Sequence, residues 1–534
     1  MVRLSQALTT LARGPLSLAV VLAAAALAHL PSLGNGFVWD DHHFILANPV
    51  LRDAGNAAAL FANPETWGTG SRNPYYRPVT MLAFMSDTLL WGRNAAGFHA
   101  TNVLLHLGTC ALLLAVLRRL LAPAAALVAA LLFAVHPAHA EPVAYVSARG
   151  DLLCGLFLLA AFLAWLRYAE SGGRGALACS ALAYGAALFS KIAAGLFPAV
   201  FALCALLCFR RRLRARDLLP FAAVAVGYLA VRTAVLDVNT WEGPPLAIRA
   251  ATAGPVIVHY LRMAVSPTHL SVFHDLSPRA AFDATAAACW AAIAAAAAVA
   301  AAAARRAPRL VVGCAWFLAG IVPVSGLVTA LYPAPAADRY LYVPLIGAAL
   351  AVGTAVERLS GRWQEAPRRC FAAAAAACAL LAIGAGTMAR GRLWRDSVTL
   401  WERAAREAPG RQYVRNGLGW AYWSTGRFDD AERTLRGSLA LDEASPDAHV
   451  LLAGLGLVRG DLDGAERHAL RTLALDPGSA LAYRYLSAVL LAKGNGALAL
   501  TAAERALGLN PFDEKTALLV AGLRRDGAGG PAAR

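Results

Sequence analysis

Two carboxylates stand side by side in the run Gly36-Phe37-Val38-Trp39-Asp40-Asp41-His42-His43, directly after a long apolar segment. Adjacent acids at a membrane surface are costly to desolvate unless they bind something or exchange a proton. One of them beside a hydroxyl can act as a general base. The same pair also reads as the polar start of a loop, with Asp41 capping a short helix. The residues alone leave both readings open.

More polar chemistry follows at the ends of apolar segments. His99, Asn102 and His106 are spaced to share one helix face, as a metal site or, more in keeping with the spacing, as a polar stripe packed in a bundle. His136-Pro137-Ala138-His139-Ala140-Glu141 and Arg149-Gly150-Asp151 place proline-broken histidines and two acids where a span ends, an expensive arrangement that points to a cavity facing water or substrate. Lys191 sits between two apolar runs, and Asp338-Arg339-Tyr340 lies far downstream. Guanidinium and ammonium groups pair with phosphate oxygens. Each of Arg149, Lys191 and Arg339 alone could snorkel to the interface or form a salt bridge, as Arg339 could with Asp338. Taken together on one side of a membrane, they favour an anionic lipid headgroup.

The elements that must position these residues follow from composition. Of 534 residues, 58% are hydrophobic and 15% charged, with a mean hydropathy of +0.52; soluble domains carry roughly a quarter charged residues. The net charge of +16 is gathered in arginine tracts between apolar segments, chiefly 210–216, 305–309 and 368–369. Cationic loops of this kind stay cytoplasmic, and no basic face interleaved with aromatics invites nucleic acid. All nine cysteines lie within or beside apolar segments, which leaves no disulfide framework or zinc ribbon.

A hydrocarbon core of about 30 Å takes roughly 17–25 helical residues. On that rule spans are expected near 15–32, 100–121, 124–138, 150–168, 176–190, 192–209, 218–236, 284–304, 309–331, 339–357 and 370–389. The stretch 254–272, with His259, Arg262, Pro267 and His269, is expected to be re-entrant or interfacial. About eleven crossings keep every arginine tract inside. The amino terminus is then cytoplasmic, and the first long loop and the carboxyl terminus are external. The potentially reactive residues gather on that external side.

Beyond Arg390 the pattern changes. Gly426, Gly460 and Gly494, Ala431, Ala465 and Ala499, and Leu441, Leu475 and Leu509 recur at a constant offset, the period of tetratricopeptide repeats. Trp401, Ala404 and Pro409 fit the second helix of a preceding half-repeat. Such arrays bind peptides or partner proteins in a concave groove. The fold class expected is all-α, a polytopic membrane bundle followed by an α-solenoid. Its domains are 1–389, with a first external loop at 34–97, then repeats at 390–520 and a flexible tail at 521–534.

Taken in order, Phe37-Val38-Trp39-Asp40-Asp41, Tyr76-Arg77-Pro78, Phe98-His99-Ala100-Thr101-Asn102, His136-Pro137-Ala138-His139-Ala140-Glu141, Arg149-Gly150-Asp151, Ser190-Lys191 and Asp338-Arg339-Tyr340-Leu341-Tyr342 precede the repeats. The chain resembles, over nearly its whole length, the transmembrane and tetratricopeptide-repeat O-mannosyltransferase family and its bacterial relatives. The resemblance implies a GT-C glycosyltransferase fold, a polyprenyl-phosphate sugar donor, a protein acceptor held by the repeats, and a place in a bacterial inner membrane with the repeats periplasmic. It implies that Asp40 and Asp41 are catalytic, with Asp41 slightly favoured as the base and Asp40 as its orienting neighbour. Arg149, Lys191 and Arg339 would hold the donor phosphate, and His99, Asn102, His136, His139, Glu141, Asp151 and Tyr340 would line the substrate cavity. No cofactor is expected; some GT-C enzymes bind a divalent metal at the acidic motif, whereas mannosyl-phosphate users generally do not. Where the family commonly has an acidic residue after the lysine, Ile192 stands here. Two rivals belong to other classes. A transporter would place its polar residues near the midplane within inverted repeats, and a non-catalytic scaffold would need only one span to anchor its repeats.

Overall fold

The computed structural model describes residues 14–67, 75–236, 244–274, 276, 278–328, 336–360 and 366–525, and helix is the only regular secondary structure among them. The chain divides into two compact units. One comprises Met1–Gly36, Tyr76–Thr80 and Asn94–Arg395; the other comprises Phe37–Tyr75, Met81–Arg93 and Asp396–Arg534. The expected boundary near 389 left the whole of the first loop with the membrane half. In the structure most of that loop groups with the repeats.

Among the described residues of the membrane unit, six helices are long and apolar enough to cross a bilayer: Leu16–Gly34, Ala95–Leu120, Val146–Ser171, Ala215–Val235, Ala284–Ala303 and Ala374–Trp394. Pro123–Ala134 and Pro137–Ala144 bend by 46° at His136-Pro137 and count as a seventh if taken as one broken span. Proline lacks the N–H that would continue the ladder, so the break falls where the sequence puts it. The expected spans around 176–190, 192–209, 309–331 and 339–357 are also helical, as Arg174–Ser190, Phe197–Cys208, Pro308–Ile321 and Pro344–Ser360, of 17, 12, 14 and 17 residues; 329–331 lie outside the described residues. Between the first two, Lys191 takes extended backbone with φ −159°. The segment expected to be interfacial forms Leu246–Val265 followed by the turn Pro267–His269, and it is not among the long apolar helices.

The core of this unit is built around Arg149–Ser171. Its Leu152, Leu158, Leu159, Phe162 and Trp165 are buried, and the Trp165 indole donates to the Phe201 carbonyl at 2.6 Å. Ala284–Ala303, almost all alanine, buries little of its surface within the protein. An apolar helix with so little of its surface covered and no polar face is at home only against lipid. The chain is an integral membrane protein.

In the second unit the repeats pair as Gln412–Ser424 with Phe428–Leu439, Pro446–Arg459 with Leu462–Leu475, and Ala480–Ala492 with Gly496–Leu509. Gly426, Gly460 and Gly494 hold φ of +77°, +78° and +82°, a left-handed turn open to glycine at no steric cost. Ala431, Ala465 and Ala499 are fully buried where the paired helices meet. Ser397–Glu407 supplies the preceding half-repeat, with Trp401 and Ala404 buried. At the far end Glu514–Arg525 closes the stack, so residues 521–525, expected to begin a flexible tail, are helical; 526–534 lie outside the described residues.

Candidate functional site

In the membrane unit the sequence motifs converge on Tyr340. Lys191 Nζ lies 4.6 Å from the Tyr340 ring centre and the Arg339 guanidinium 4.9 Å from it. Each cation has its own acid: Lys191 meets Asp151 at 2.5 Å, and Arg339 pairs with Glu141, which also accepts the Arg339 backbone N–H at 3.0 Å. The neighbouring Asp338 carboxylate accepts from His274 at 2.8 Å and from Arg390 at 2.7 Å, which pins the start of the short helix Asp338–Leu341. Arg77, half-buried, acts electrostatically on Lys191 and adds a third cation. Lys191 and Arg339 thus present two cations to one aromatic face.

Local sequence explains the convergence. A side chain at Gly150 would meet the Thr80 hydroxyl at 3.2 Å and the Ser190 carbonyl at 3.3 Å, and Thr80 donates to that same carbonyl at 3.1 Å. Glycine between Arg149 and Asp151 thus lets the Arg77-Pro78-Val79-Thr80 and Ser190-Lys191 segments close on the start of the helix.

Other expected residues stand apart from this cluster. Arg149 is fully buried; its Nε donates to Asn102 Oδ1 at 2.8 Å and its Nη2 to the Phe98 carbonyl at 3.1 Å. Asn102 in turn donates to Val143 O at 3.2 Å. Placed so, Arg149 is a brace between helices, with its donors turned to protein acceptors. The stripe His99, Asn102 and His106 resolves into separate partners: His99 meets the Gly36 carbonyl at 3.3 Å and His106 the Tyr342 hydroxyl at 2.9 Å. His136 bonds Ala264 O at 3.4 Å and edges an apolar cavity of about 500 Å³. His139 is fully buried, with neither ring nitrogen bonded.

The acidic pair belongs to the second unit, and its two members differ sharply. Asp41 is fully buried and accepts the Val38 N–H at 3.1 Å. It therefore closes the Val38–Asp41 turn rather than capping the helical turn at His42–Leu46, where no side-chain cap forms. Asp40 is half-buried and lines a groove of about 790 Å³. One wall of this groove is the loop, with Trp39, His42, His43 and Arg52; the other is the repeat array, with Trp420, Trp423, Leu451, Tyr485 and Phe512. The loop is fastened to that array. Trp39 Nε1 donates to the Tyr413 hydroxyl at 3.1 Å and its ring meets Trp401 edge-on at 5.2 Å; His42 meets Trp420 edge-on at 4.8 Å; Arg52 pairs with Glu514 at 2.7 Å. Nothing in the loop's own sequence signals these partners. The aromatic-rich Tyr413, Trp420, Tyr422 and Trp423 on the first repeat are the one available hint.

Burial holds the His42 imidazole below the ordinary histidine range; neighbouring His43 pushes the same way, and the bond to the Phe37 carbonyl opposes both. An imidazole depressed by burial takes up protons more readily when released, so docking of the loop is full above the free-histidine range and weakens as pH falls through it. Amide exchange across 38–47 is expected to quicken between pH 7.5 and 5.5, and His42→Gln to flatten that dependence. Equal exchange at both pH values, after correction for the intrinsic rate, would count against it.

Among the described residues no group of three or more histidines, cysteines or acids is placed to hold a metal ion.

Comparison with known proteins joins these two halves. Residues 78–236 match the family described as dolichyl-phosphate-mannose-protein mannosyltransferase, and 387–449, 416–480 and 451–514 match the tetratricopeptide repeat. The human protein O-mannosyl-transferase TMTC4 is 38% identical over 177 residues, which is 29% of this chain and 24% of that protein. The Drosophila melanogaster protein O-mannosyl-transferase Tmtc2 is 40% identical over 158 residues, 28% of this chain and 17% of that protein. The matched stretch thus spans a quarter or less of these curated relatives. Among solved structures, MamA superposes with a TM-score of 0.22 at 21% identity, covering 24% of this chain and 75% of that one. With a mannosyltransferase-type membrane segment ahead of tetratricopeptide repeats, the chain is similar in both parts to transmembrane, tetratricopeptide-repeat-containing O-mannosyltransferases.

Proposed function

We propose that the chain is a GT-C membrane glycosyltransferase moving a sugar, mannose by analogy with its relatives, from a polyprenyl-phosphate donor to a hydroxyl of an external protein acceptor. The observation that carries the reading is Asp40: a carboxylate on the wall of a peptide-sized groove whose other wall is a repeat array. Asp40 accepts the hydroxyl proton as the acceptor oxygen bonds to the anomeric carbon from the face opposite the phosphate. The bond from that carbon to the phosphate oxygen breaks, and the lipid phosphate leaves with the electron pair. Displacement from the opposite face inverts the anomeric centre. The cations Lys191 and Arg339, gathered at the Tyr340 ring, suit the departing phosphate. No step requires a metal. Here Asp40 takes the role of base and Asp41 that of holding the turn, the reverse of the order favoured on sequence, because Asp41 is buried and bonded to Val38.

The decisive experiment uses the full-length protein in nanodiscs, a polyprenyl-phosphate mannose, and a secreted-protein fraction from cells lacking this chain. Mass spectrometry should find hexose on serine or threonine. Donor binding without hexose on any protein would sink the proposal. A Lys191→Met variant is expected to weaken donor binding by about tenfold, the scale of one charge-assisted bond; unchanged binding would remove Lys191 from the donor site.

Orientation is part of the same reading: the amino terminus cytoplasmic and the repeats external. Reporter fusions after Arg216 and Arg306 should read inside and one after Gly527 outside. A cytoplasmic signal at Gly527 would overturn it.

A further inference from the structure

We infer that the first repeats act on the reaction as positioning residues for Asp40, so that Tyr413, Trp401 and Trp420 set turnover and not only acceptor capture. The inference rests on Asp40 as base. Its starting point is the backbone. Trp39 has φ +51°, a left-handed conformation that a bulky residue rarely holds. Strain of this kind persists only where the surroundings over-determine it. Here the surroundings are the repeats: the Tyr413 hydroxyl takes the Trp39 indole N–H, and Trp401 packs edge-on against the Trp39 ring. Three residues further on, His42 is held against Trp420. Asp40 lies between these two anchors, and the turn beneath it is closed by Asp41 on Val38. A carboxylate aimed this way keeps its direction only while both anchors hold.

The arrangement also separates two jobs within one groove. The indole nitrogens of Trp401 and Trp423 and the amide oxygen of Asn510 are buried without a hydrogen-bond partner. Trp401, Trp423 and Asn510 all line the groove. Such orphaned groups cost stability unless a ligand satisfies them, so Trp423, Asn510 and the indole nitrogen of Trp401 belong to acceptor capture, while the Trp401 ring braces Trp39. Tyr413 and Trp420 are already engaged by the loop and belong to aiming.

Small misplacements of a reacting group lower rates by about a hundredfold. Trp420→Ala and Trp39→Gly are therefore expected to lower kcat about 10- to 100-fold with the donor KM unchanged. Trp420→Phe should recover most of the loss, and Tyr413→Phe should give a smaller fall. Trp39→Gly serves as the second variant because glycine accepts the left-handed backbone without strain, so the loop can fold although its anchor is gone. Amide exchange across 38–47 should quicken in both large variants while the helices at 446–509 stay protected. The same assay must include Asp40→Asn. If Asp40→Asn is inactive and the Trp420 and Trp39 variants turn over at the parent kcat, the positioning role is wrong and the proposed function stands. A raised acceptor KM with kcat intact would likewise overturn it, assigning these residues to capture alone. If Asp40→Asn itself transfers sugar at the parent rate, the proposed function is what fails.

Discussion

Asp40→Asn is expected to cut sugar transfer by roughly a hundred- to ten-thousand-fold, the cost of losing a general base, with donor binding and thermal stability close to those of the parent. The expectation follows from where the side chain sits. Asp40 is half-buried on the groove, so its substitution leaves the core untouched. Asp41 gives the contrast. Its carboxylate is buried and accepts the Val38 N–H, and alanine there would leave that donor unsatisfied at a cost of about 1–3 kcal/mol. Asp41→Asn keeps an acceptor oxygen and should retain more activity than Asp40→Asn. Transfer and melting temperature, measured on the same preparations, separate the two. Loss of transfer in Asp41→Asn with full activity in Asp40→Asn would exchange their roles.

Glu141→Ala should be the most damaging substitution to the membrane unit. Glu141 is almost wholly buried and receives both the guanidinium and the backbone N–H of Arg339. Removing one partner of a buried ion pair costs roughly 3–5 kcal/mol because the other charge is left uncompensated. Part of that is relieved here, since the Arg339 side chain keeps 19% exposure to solvent. Glu141→Gln keeps one acceptor oxygen, enough for one of the two Arg339 donors, and removes the negative charge. It should therefore fold better than the alanine variant and bind the anionic donor at least as tightly as the parent. Yield of monodisperse protein and donor affinity are the two readouts. A Glu141→Ala protein as stable as the parent would show that the pair contributes nothing to the fold.

What the sequence discloses, and what it hides, follows physical lines. The repeats are legible because their glycines must supply a left-handed turn at a fixed spacing, and the structure puts Gly426, Gly460 and Gly494 in that conformation. The apolar runs are legible as helices, and Lys191 is legible as the break between two of them, but lengths are less so: the helix expected over 124–138 ends at Ala134, ahead of Pro137. Residue type marked Lys191, Arg339, Glu141, Asp151 and Tyr340 as a group, and they do cluster. The same reasoning could not tell Arg149 from them, since a span-end arginine looks alike whether it brackets Asn102 and Phe98 or meets a ligand. The Tyr76-Arg77-Pro78 motif carries no sign that Arg77 acts electrostatically on Lys191. Least visible was the allegiance of the loop, because Trp39 finds its hydrogen-bond partner 374 residues further along.

That long-range attachment has a consequence for how such proteins can change. Gly36 donates its N–H to the Arg395 carbonyl at 2.8 Å, so the chain leaves the membrane unit toward the loop and toward the repeats from neighbouring points. Loop and array are packed as one unit, so an exchange of one without the other would break the contacts of Trp39, His42 and Arg52. A chimera that takes a new repeat array with the old loop would bring Trp39 and His42 to a surface not shaped for them, whereas one that exchanges 37–75 with 396–525 would carry its own fit. Diversification of targets in this lineage would then leave its trace as matched changes in two stretches of sequence far apart in the chain.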